Sequence, residues 1–209
     1  MAVKYQISII GGPKMKKVIA VLVLFSTMVF AQQKGTFTDP RDNKTYKTVK
    51  IVSQTWMAEN LNYAASYSEC YDNDPRNCMK YGRLYDWKQS MRVCPSGWHL
   101  PSYDEWDVLM AAVGGNGRAG QKLRAKSGWI EGFPGMDDYG FSALPGGSRL
   151  WKDRRFYEVG ERGFWWSATE VEDLSSSHAY DWNMSYYYSS VDNFPALKSN
   201  LFSVRCVMD

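Results

Sequence analysis

The chain has 209 residues, enough for one domain with a short extension, and its apolar and aromatic content, 44% and 15% of residues, excludes an intrinsically disordered protein. The formal charge of +3 comes from lysines in the first 31 residues, which hold no acidic residue, and the remainder has 21 basic and 22 acidic side chains. This balance argues against a nucleic-acid partner, and the 2 histidines are too few for a histidine-rich metal centre.

The N-terminus has the pattern of a secretory signal peptide. A basic cluster around Met15 precedes an apolar run at residues 18–30, and the run closes on the small residue Ala31. We therefore predict a leader at residues 1–31 that is cleaved after Ala31, with Met15 as the start of translation, and a single domain at residues 32–209. The apolar run is short for a hydrocarbon core about 30 Å thick, and an uncleaved N-terminal anchor is the alternative.

The first part of the domain has the alternation and turn chemistry of β-strands. Short strands are predicted at residues 36–38, 46–52 and 55–58. The polar residues 39–43 form the turn between the first two strands.

No second apolar stretch of membrane length follows, so we predict an exported mature chain without a membrane span, secreted, on the cell surface or in the periplasm. In such oxidising compartments an even number of cysteines predicts disulfides, and the chain has four: Cys70, Cys78, Cys94 and Cys206. Cys70 and Cys78 flank a short polar loop rich in turn residues, which favours joining them and leaves Cys94 with Cys206. Free buried thiols are the alternative, and a zinc site is disfavoured because no Cys-x-x-Cys pair is present.

A first short helix is predicted at residues 84–93, where apolar side chains recur at helical spacing: Leu84, Trp87 and Met91. A second is predicted within residues 100–115. Ser102 precedes Glu105 by three residues, the spacing of a capping box, and Gly114-Gly115 ends the helix. Between them one apolar face is formed by Trp106, Leu109, Met110 and Val113. Residues 121–126 are predicted to add a further helical turn.

From residue 128 onward, turn residues alternate with short aromatic segments at 141–144, 164–169, 179–188 and 202–207. These segments are predicted to be antiparallel strands. The predicted fold class is therefore α+β, with two short helices, a loop-rich and mostly antiparallel sheet, two disulfides, and the first and last strands paired.

Four strings occur in order along the chain: Cys-Pro-Ser-Gly-Trp-His-Leu-Pro-Ser at 94–102, Leu-Pro-Gly-Gly-Ser-Arg at 144–149, Phe-Trp-Trp-Ser-Ala-Thr-Glu at 164–170 and Ser-Val-Arg-Cys-Val at 203–207. With them the chain resembles the Fibrobacter succinogenes major paralogous domain family, from about residue 36 to residue 209. The resemblance implies an exported protein with a C-type-lectin-like or formylglycine-generating-enzyme-like fold. It also supports joining Cys94, just before the second helix, to Cys206 on the last strand.

No enzyme activity and no cofactor are predicted. Chemistry of the formylglycine-generating type needs reactive, accessible thiols, whereas all four cysteines are assigned to structural bridges. His99 is interpreted as a packed, hydrogen-bonded structural residue, and His178 as an exposed one; neither has a nucleophile placed beside it. An enzyme of unrecognised chemistry remains an alternative, besides the two non-catalytic functions described below.

No metal is predicted either. The tripeptides expected of a lectin calcium site are missing, although Glu170, Glu172 and Asp173 cluster in one loop, with Asp181 and Asp192 possible neighbours. These three are calcium candidates, and a solvated acidic loop is the preferred interpretation.

The aromatic side chains point to the function. Tyr and Trp present flat amphipathic faces suited to sugar rings, and five of them are candidate ligand-binding residues: Trp151, Trp165, Trp166, Trp182 and Tyr187. Because side chains alternate along a strand, one of Trp165 and Trp166 is expected to point away from the core. Core filling is the competing interpretation for each of them.

The sequence thus predicts a secreted, non-catalytic recognition module whose partner is a polysaccharide or another surface component, such as a protein, reached by loops between residues 128 and 200. The alternative is a structural or protein-assembly component of the cell envelope. A sugar binder should expose a line of aromatic rings beside polar groups, whereas an assembly protein should expose a larger apolar patch. An enzyme should have a concave pocket that holds titratable groups with shifted pKa values.

Overall fold

The computed structural model describes residues 33–174 and 176–209. The predicted leader at residues 1–31, the cleavage after Ala31 and the start at Met15 lie outside the described residues. Within the described part, no helix is long and apolar enough to cross a membrane.

The described residues form thirteen strands and four α-helices. In chain order they are β1 (Gln33–Thr38), β2 (Thr45–Ile51), β3 (Gln54–Met57), β4 (Ser68–Glu69), α1 (Pro75–Tyr81), β5 (Leu84–Tyr85), α2 (Trp87–Val93), β6 (Trp98–His99), α3 (Tyr103–Ala112), α4 (Asn116–Leu123), β7 (Ser148–Arg149), β8 (Phe156–Tyr157), β9 (Arg162–Glu170), β10 (His178–Ser185), β11 (Val191–Leu197), β12 (Phe202–Ser203) and β13 (Val207–Met208). Two 3₁₀ helices lie at Tyr71–Asn73 and Glu172–Leu174.

Two larger sheets organise the domain, in the orders β1-β2-β3-β13-β6 and β11-β10-β9-β12-β5-β4, and β7 and β8 form a separate hairpin. Neighbouring strands are antiparallel except for β12 and β9. The α+β class with mostly antiparallel sheets is therefore confirmed. The predicted pairing of the first and last strands is wrong, because β13 lies between β3 and β6 while β1 pairs only with β2 at the edge.

The helix count differs from the prediction of two. Helix α3 has the predicted capping box, in which Ser102 Oγ accepts the Glu105 N–H at 3.2 Å and the Glu105 carboxylate accepts the Ser102 N–H at 2.8 Å. Helix α1 begins inside the predicted polar loop between Cys70 and Cys78, where Asp74 caps it and Pro75 occupies its first turn. That Asp-Pro pair is a helix-start pattern which the sequence does contain.

The middle of the six-stranded sheet, at β9 and β10, is buried on both faces, and this overturns the expectation for its tryptophans. Trp165 and Trp182 pack with Trp106 on one face, while Trp166 packs with Phe202 on the other. Helix α2 helps to cover the second face. Successive side chains of β9 point to opposite faces of the sheet as predicted, but both faces pack into a core.

Two disulfides have the predicted pairing. Cys70–Cys78 closes the loop that contains the first 3₁₀ helix, and Cys94–Cys206 joins the end of α2 to the segment between β12 and β13. Cys206 is fully buried and Cys94 packs against the same core cluster, so the second bridge lies in the core.

Candidate functional site

Three of the five predicted ligand-binding residues are not available to a ligand. Trp165, Trp166 and Trp182 each have 0% exposure, so no sugar ring can stack on them. Their positions correct the prediction: these side chains fill cores on the two faces of one sheet. Tyr187 and Trp151 are exposed, at 67% and 56%, and lie on different loops.

Tyr187 belongs to a continuous line of aromatic rings, here called the tyrosine patch: Phe133, Tyr186, Tyr187 and Tyr188. Ring centroids along the line are 5.1 Å apart for Phe133 and Tyr186, 6.1 Å for Tyr186 and Tyr187, and 5.1 Å for Tyr187 and Tyr188. Tyr186 is half-buried against the core, whereas the other three side chains are exposed. Within the described residues, none of the three tyrosine hydroxyls donates or accepts a hydrogen bond, and the exposed Tyr187 and Tyr188 can offer theirs to a ligand.

Helix α4 holds the hairpin loop that carries the three tyrosines. A Cβ atom at Gly120 would lie 2.3 Å from the carbonyl oxygen of Ser190, so only glycine permits the hairpin to pack this closely on the helix. The Gln121 N–H donates to the Ser189 carbonyl at 3.2 Å. The loop is thereby fixed on a helix, which reduces the conformational entropy that the loop loses when a ligand binds.

The same helix holds the segment that supplies Phe133. The Gly135 N–H donates to the Ala125 carbonyl at 3.0 Å, and the Met136 N–H donates to the Gln121 carbonyl at 2.8 Å. A Cβ atom at Gly135 would lie 2.0 Å from the Arg124 carbonyl oxygen. Two loops that are about fifty positions apart in the sequence therefore meet on α4 and form one surface.

Arg124 lies behind this surface and ties its parts together. Its guanidinium stands over the Trp129 ring at 5.1 Å, and its Nη1 donates to the Ser185 carbonyl at 2.8 Å, directly before Tyr186. Burial lowers the pKa of Arg124 from its ordinary value. Its Nε has no hydrogen-bond partner within the described residues.

Phe133 was not predicted. It lies between Gly132 and Pro134 in a turn-rich loop, and an exposed aromatic residue in such a loop is the pattern that could have indicated it. The sequence could not predict that Phe133 contacts Tyr186, because this contact depends on the packing of both loops against α4.

Trp151 lies on the turn that joins β7 to β8 and makes no ring contact with another aromatic residue in the described part of the chain. Its backbone N–H donates to Asn200 Oδ1 at 3.0 Å. The structure therefore keeps Trp151 apart from the tyrosine patch.

The calcium candidates do not converge on a site. Glu170 forms an ion pair with Lys198 at 2.6 Å, while Glu172 and Asp173 lie exposed on the second 3₁₀ helix. Across residues 33–174 and 176–209, no group of three or more His, Cys, Asp or Glu side chains could hold a metal ion. Glu170 is the last residue of β9 and does not lie in the loop with Glu172 and Asp173.

Two open clefts lie on the surface of the described residues. One of about 440 Å³ is lined by Ser66, Tyr67, Asp86, Lys88, Gln89 and Arg92. The other, of about 220 Å³, lies beside Lys44, Glu59 and Tyr81. Neither cleft includes Asp181, the carboxyl whose pKa burial raises to about 7.

Asp181 instead lies within the six-stranded sheet, where it accepts the Phe194 N–H at 3.1 Å. Its carboxyl keeps a proton to about pH 7 in the folded chain but loses it near pH 3.8 in the unfolded chain. Its contribution to stability is therefore largest below pH 3.8 and is lost as the pH rises to 7.

We expect Asp181→Asn to stabilise the domain at pH 8 by up to about 4 kcal/mol, because asparagine still accepts the Phe194 N–H and has no charge to bury. The gain should shrink steadily toward pH 4. Urea unfolding across this range measures it, with the exposed Asp173→Asn as a control that should show no such gain. A gain that does not depend on pH would contradict the explanation.

His99 is hydrogen-bonded as predicted, although its side chain is 40% exposed. Its Nδ1 lies 2.6 Å from Asp209 Oδ1 and its Nε2 lies 2.7 Å from Glu105 Oε1, so it connects the C-terminus to the start of α3. Partial burial lowers the pKa of His99, but the hydrogen bonds with the two carboxylates outweigh this effect and raise the pKa overall. Both ring nitrogens are therefore engaged by carboxylates.

The described residues thus define a small α+β domain with two disulfides and an exposed aromatic surface held on a short helix. The model of the Fibrobacter succinogenes major domain matches residues 49–208, and the chain belongs to this family. The searches of curated proteins and of solved structures gave no significant match, so the C-type-lectin-like assignment stays a prediction.

Proposed function

We propose that the domain is an exported, non-catalytic recognition module that binds polysaccharide through the tyrosine patch. The observation that carries the proposal is the line of four aromatic rings, three of them exposed, supported from behind by α4. The two disulfides support export, because such bridges persist in oxidising compartments.

Tyrosine suits this task physically. Each ring supplies a rigid apolar face at a low cost in side-chain entropy, and each hydroxyl supplies a polar group at the edge of that face. Sugar rings have the matching combination of apolar C–H faces and equatorial hydroxyls. A surface for protein assembly would instead be expected to be larger and more uniformly apolar than these four rings.

The ring angles favour a single flexible glycan chain over a flat crystalline face. Successive rings are inclined by 74°, 76° and 89°, so no two neighbours lie in one plane. A flat polysaccharide crystal needs coplanar rings, whereas a single chain can turn its successive sugars toward differently oriented rings. We therefore expect amorphous or soluble polysaccharide to be bound in preference to crystalline material.

We expect Tyr187→Ala to weaken binding about tenfold, since one lost stacking contact corresponds to roughly 1.4 kcal/mol. The measurement is retention of the purified protein on amorphous plant-wall polysaccharides and on microcrystalline cellulose. Tyr67→Ala is the matched control, because Tyr67 is also exposed, at 79%, but lies beside the larger cleft.

Equal losses in both variants would contradict the assignment to the tyrosine patch. Retention on crystalline cellulose alone would contradict the preference for a single chain. Absence of retention on every polysaccharide would overturn the proposal and favour an assembly role in the cell envelope.

A further inference from the structure

The turn between β7 and β8 concentrates positive charge beside an exposed indole. This basic turn consists of Trp151, Lys152, Arg154 and Arg155, all of them exposed. Within the described residues, none of its three cations forms an ion pair. The other two arginines of the hairpin region are already paired, Arg149 with Glu69 and Arg162 with Glu158.

The one acidic residue of the turn, Asp153, accepts hydrogen bonds from two other residues of the hairpin. Asp153 accepts the Arg155 N–H at 3.1 Å and also accepts the Tyr157 hydroxyl. These bonds lower the pKa of Asp153, the one from Tyr157 most. The charge of Arg155 also lowers the pKa of Asp153, but within the described residues no guanidinium of the turn forms an ion pair with this carboxylate.

The backbone of the turn is rigidly built. The Arg154 N–H donates to the Leu150 carbonyl and the Leu150 N–H to the Arg155 carbonyl, both at 3.0 Å. Arg154 has a φ of 57°, in the left-handed region that a non-glycine residue rarely adopts. Asn200 Oδ1 accepts the backbone N–H of Trp151 from the neighbouring segment. The cations are thus presented from a preorganised frame.

We infer that the basic turn is a second binding site, for polysaccharide that contains uronic acids. Trp151 supplies a flat face for a sugar ring, and the guanidinium forks match a carboxylate with two parallel hydrogen bonds. The turn has a net charge of +2 on a domain whose residues 32–209 sum to −1, so its attraction for anions is local. Three cations are few for a phosphate polymer, whose binding relies on many phosphate contacts.

This site is independent of the tyrosine patch and goes beyond the proposed function. Its test is the binding of oligogalacturonate to the purified protein, measured by calorimetry, with a neutral xylo-oligosaccharide measured in parallel. The variant Lys152→Gln/Arg154→Asn/Arg155→Gln removes the charges while asparagine tolerates the positive φ of residue 154. The matched control Lys34→Gln/Lys50→Gln/Lys126→Gln removes three exposed lysines elsewhere.

We expect the turn variant to weaken oligogalacturonate binding at least about tenfold at roughly 0.15 M salt, and Trp151→Ala about tenfold, with the control unchanged. Tyr187→Ala should leave this binding intact. The inference is overturned if the wild-type protein does not bind oligogalacturonate, if both triple variants lose it equally, or if Trp151→Ala has no effect. Loss in Tyr187→Ala would also overturn it by assigning the ligand to the tyrosine patch. Thermal unfolding of each variant confirms that it is folded.

Discussion

Replacing Arg205 by methionine is expected to destabilise the folded domain by about 3–5 kcal/mol, because the change leaves buried backbone carbonyls without donors. Arg205 is fully buried, with its guanidinium 4.5 Å from the centre of the Phe141 ring. Its nitrogens donate to Asn60 Oδ1 at 2.7 and 3.2 Å and to the Met57 carbonyl at 3.2 Å. They also donate to the carbonyls of Phe141 and Ser142.

No acidic side chain pairs with this guanidinium in the described residues, so carbonyl and amide dipoles stabilise its charge. Burial lowers the pKa of Arg205 to about 9, which still leaves it cationic at neutral pH. Buried ion pairs can often be replaced by apolar residues without loss, but only when both partners are replaced. Here the partners are mostly backbone carbonyls, which no substitution removes.

Urea unfolding at pH 7 measures the effect. Arg205→Lys is expected to recover part of the stability, because an ammonium keeps the charge but cannot reach acceptors on both sides of the planar guanidinium. Arg76→Met is the control, since Arg76 lies on the surface and its loss should leave the unfolding midpoint unchanged. An Arg205→Met protein as stable as wild type would show that the network contributes nothing.

The sequence predicted those structural elements that depend only on residues close to one another in the chain. The capping box and apolar face of α3 are contained within about a dozen positions, and the structure has both. The cysteine loop likewise predicted its own disulfide, because only the intervening residues matter for joining Cys70 to Cys78. Helix α1 was missed although Asp74 and Pro75 are a helix start, since the polar composition of the segment outweighed that pattern.

The burial of the tryptophans depended on tertiary structure. Alternation predicts that Trp165 and Trp166 point in opposite directions, and they do. It cannot predict that α2 and the C-terminal segment cover the second face of the sheet. Segment 202–207 shows the same limit, since it was predicted as one strand but divides between two sheets at β12 and β13.

The candidate site was predicted in part for the same reason. Tyr187 was named because it lies in a run of tyrosines, which is a local feature. Phe133 joins it only because Gly120 and Gly135 let two distant loops pack against α4. These close approaches are possible because glycine has no side chain. A sequence pattern does not reveal which backbone segment will pack against a given glycine.

Removing the Cys94–Cys206 bridge is expected to cost about 5 kcal/mol, because it closes a long loop in the unfolded chain. The bridge spans 112 positions, against 8 for Cys70–Cys78, and loop-closure entropy grows with that separation. The shorter bridge should therefore contribute only about 2.5 kcal/mol. With a total stability of order 5–15 kcal/mol, only the loss of the longer bridge threatens folding at physiological temperature.

The comparison uses Cys94→Ala/Cys206→Ala and Cys70→Ala/Cys78→Ala, unfolded in guanidinium under identical conditions. Alanine is used in place of serine, because a serine would put an unpaired hydroxyl at position 206, which is fully buried. Cys206 follows Arg205 directly, so the longer bridge also fixes the strand segment that carries the buried guanidinium. A double variant at Cys94 and Cys206 should therefore lose less on the further change Arg205→Met than the wild-type protein does. Equal costs for the two bridges would show that loop length does not control their contributions, and strict additivity with Arg205→Met would show that the bridge does not position Arg205.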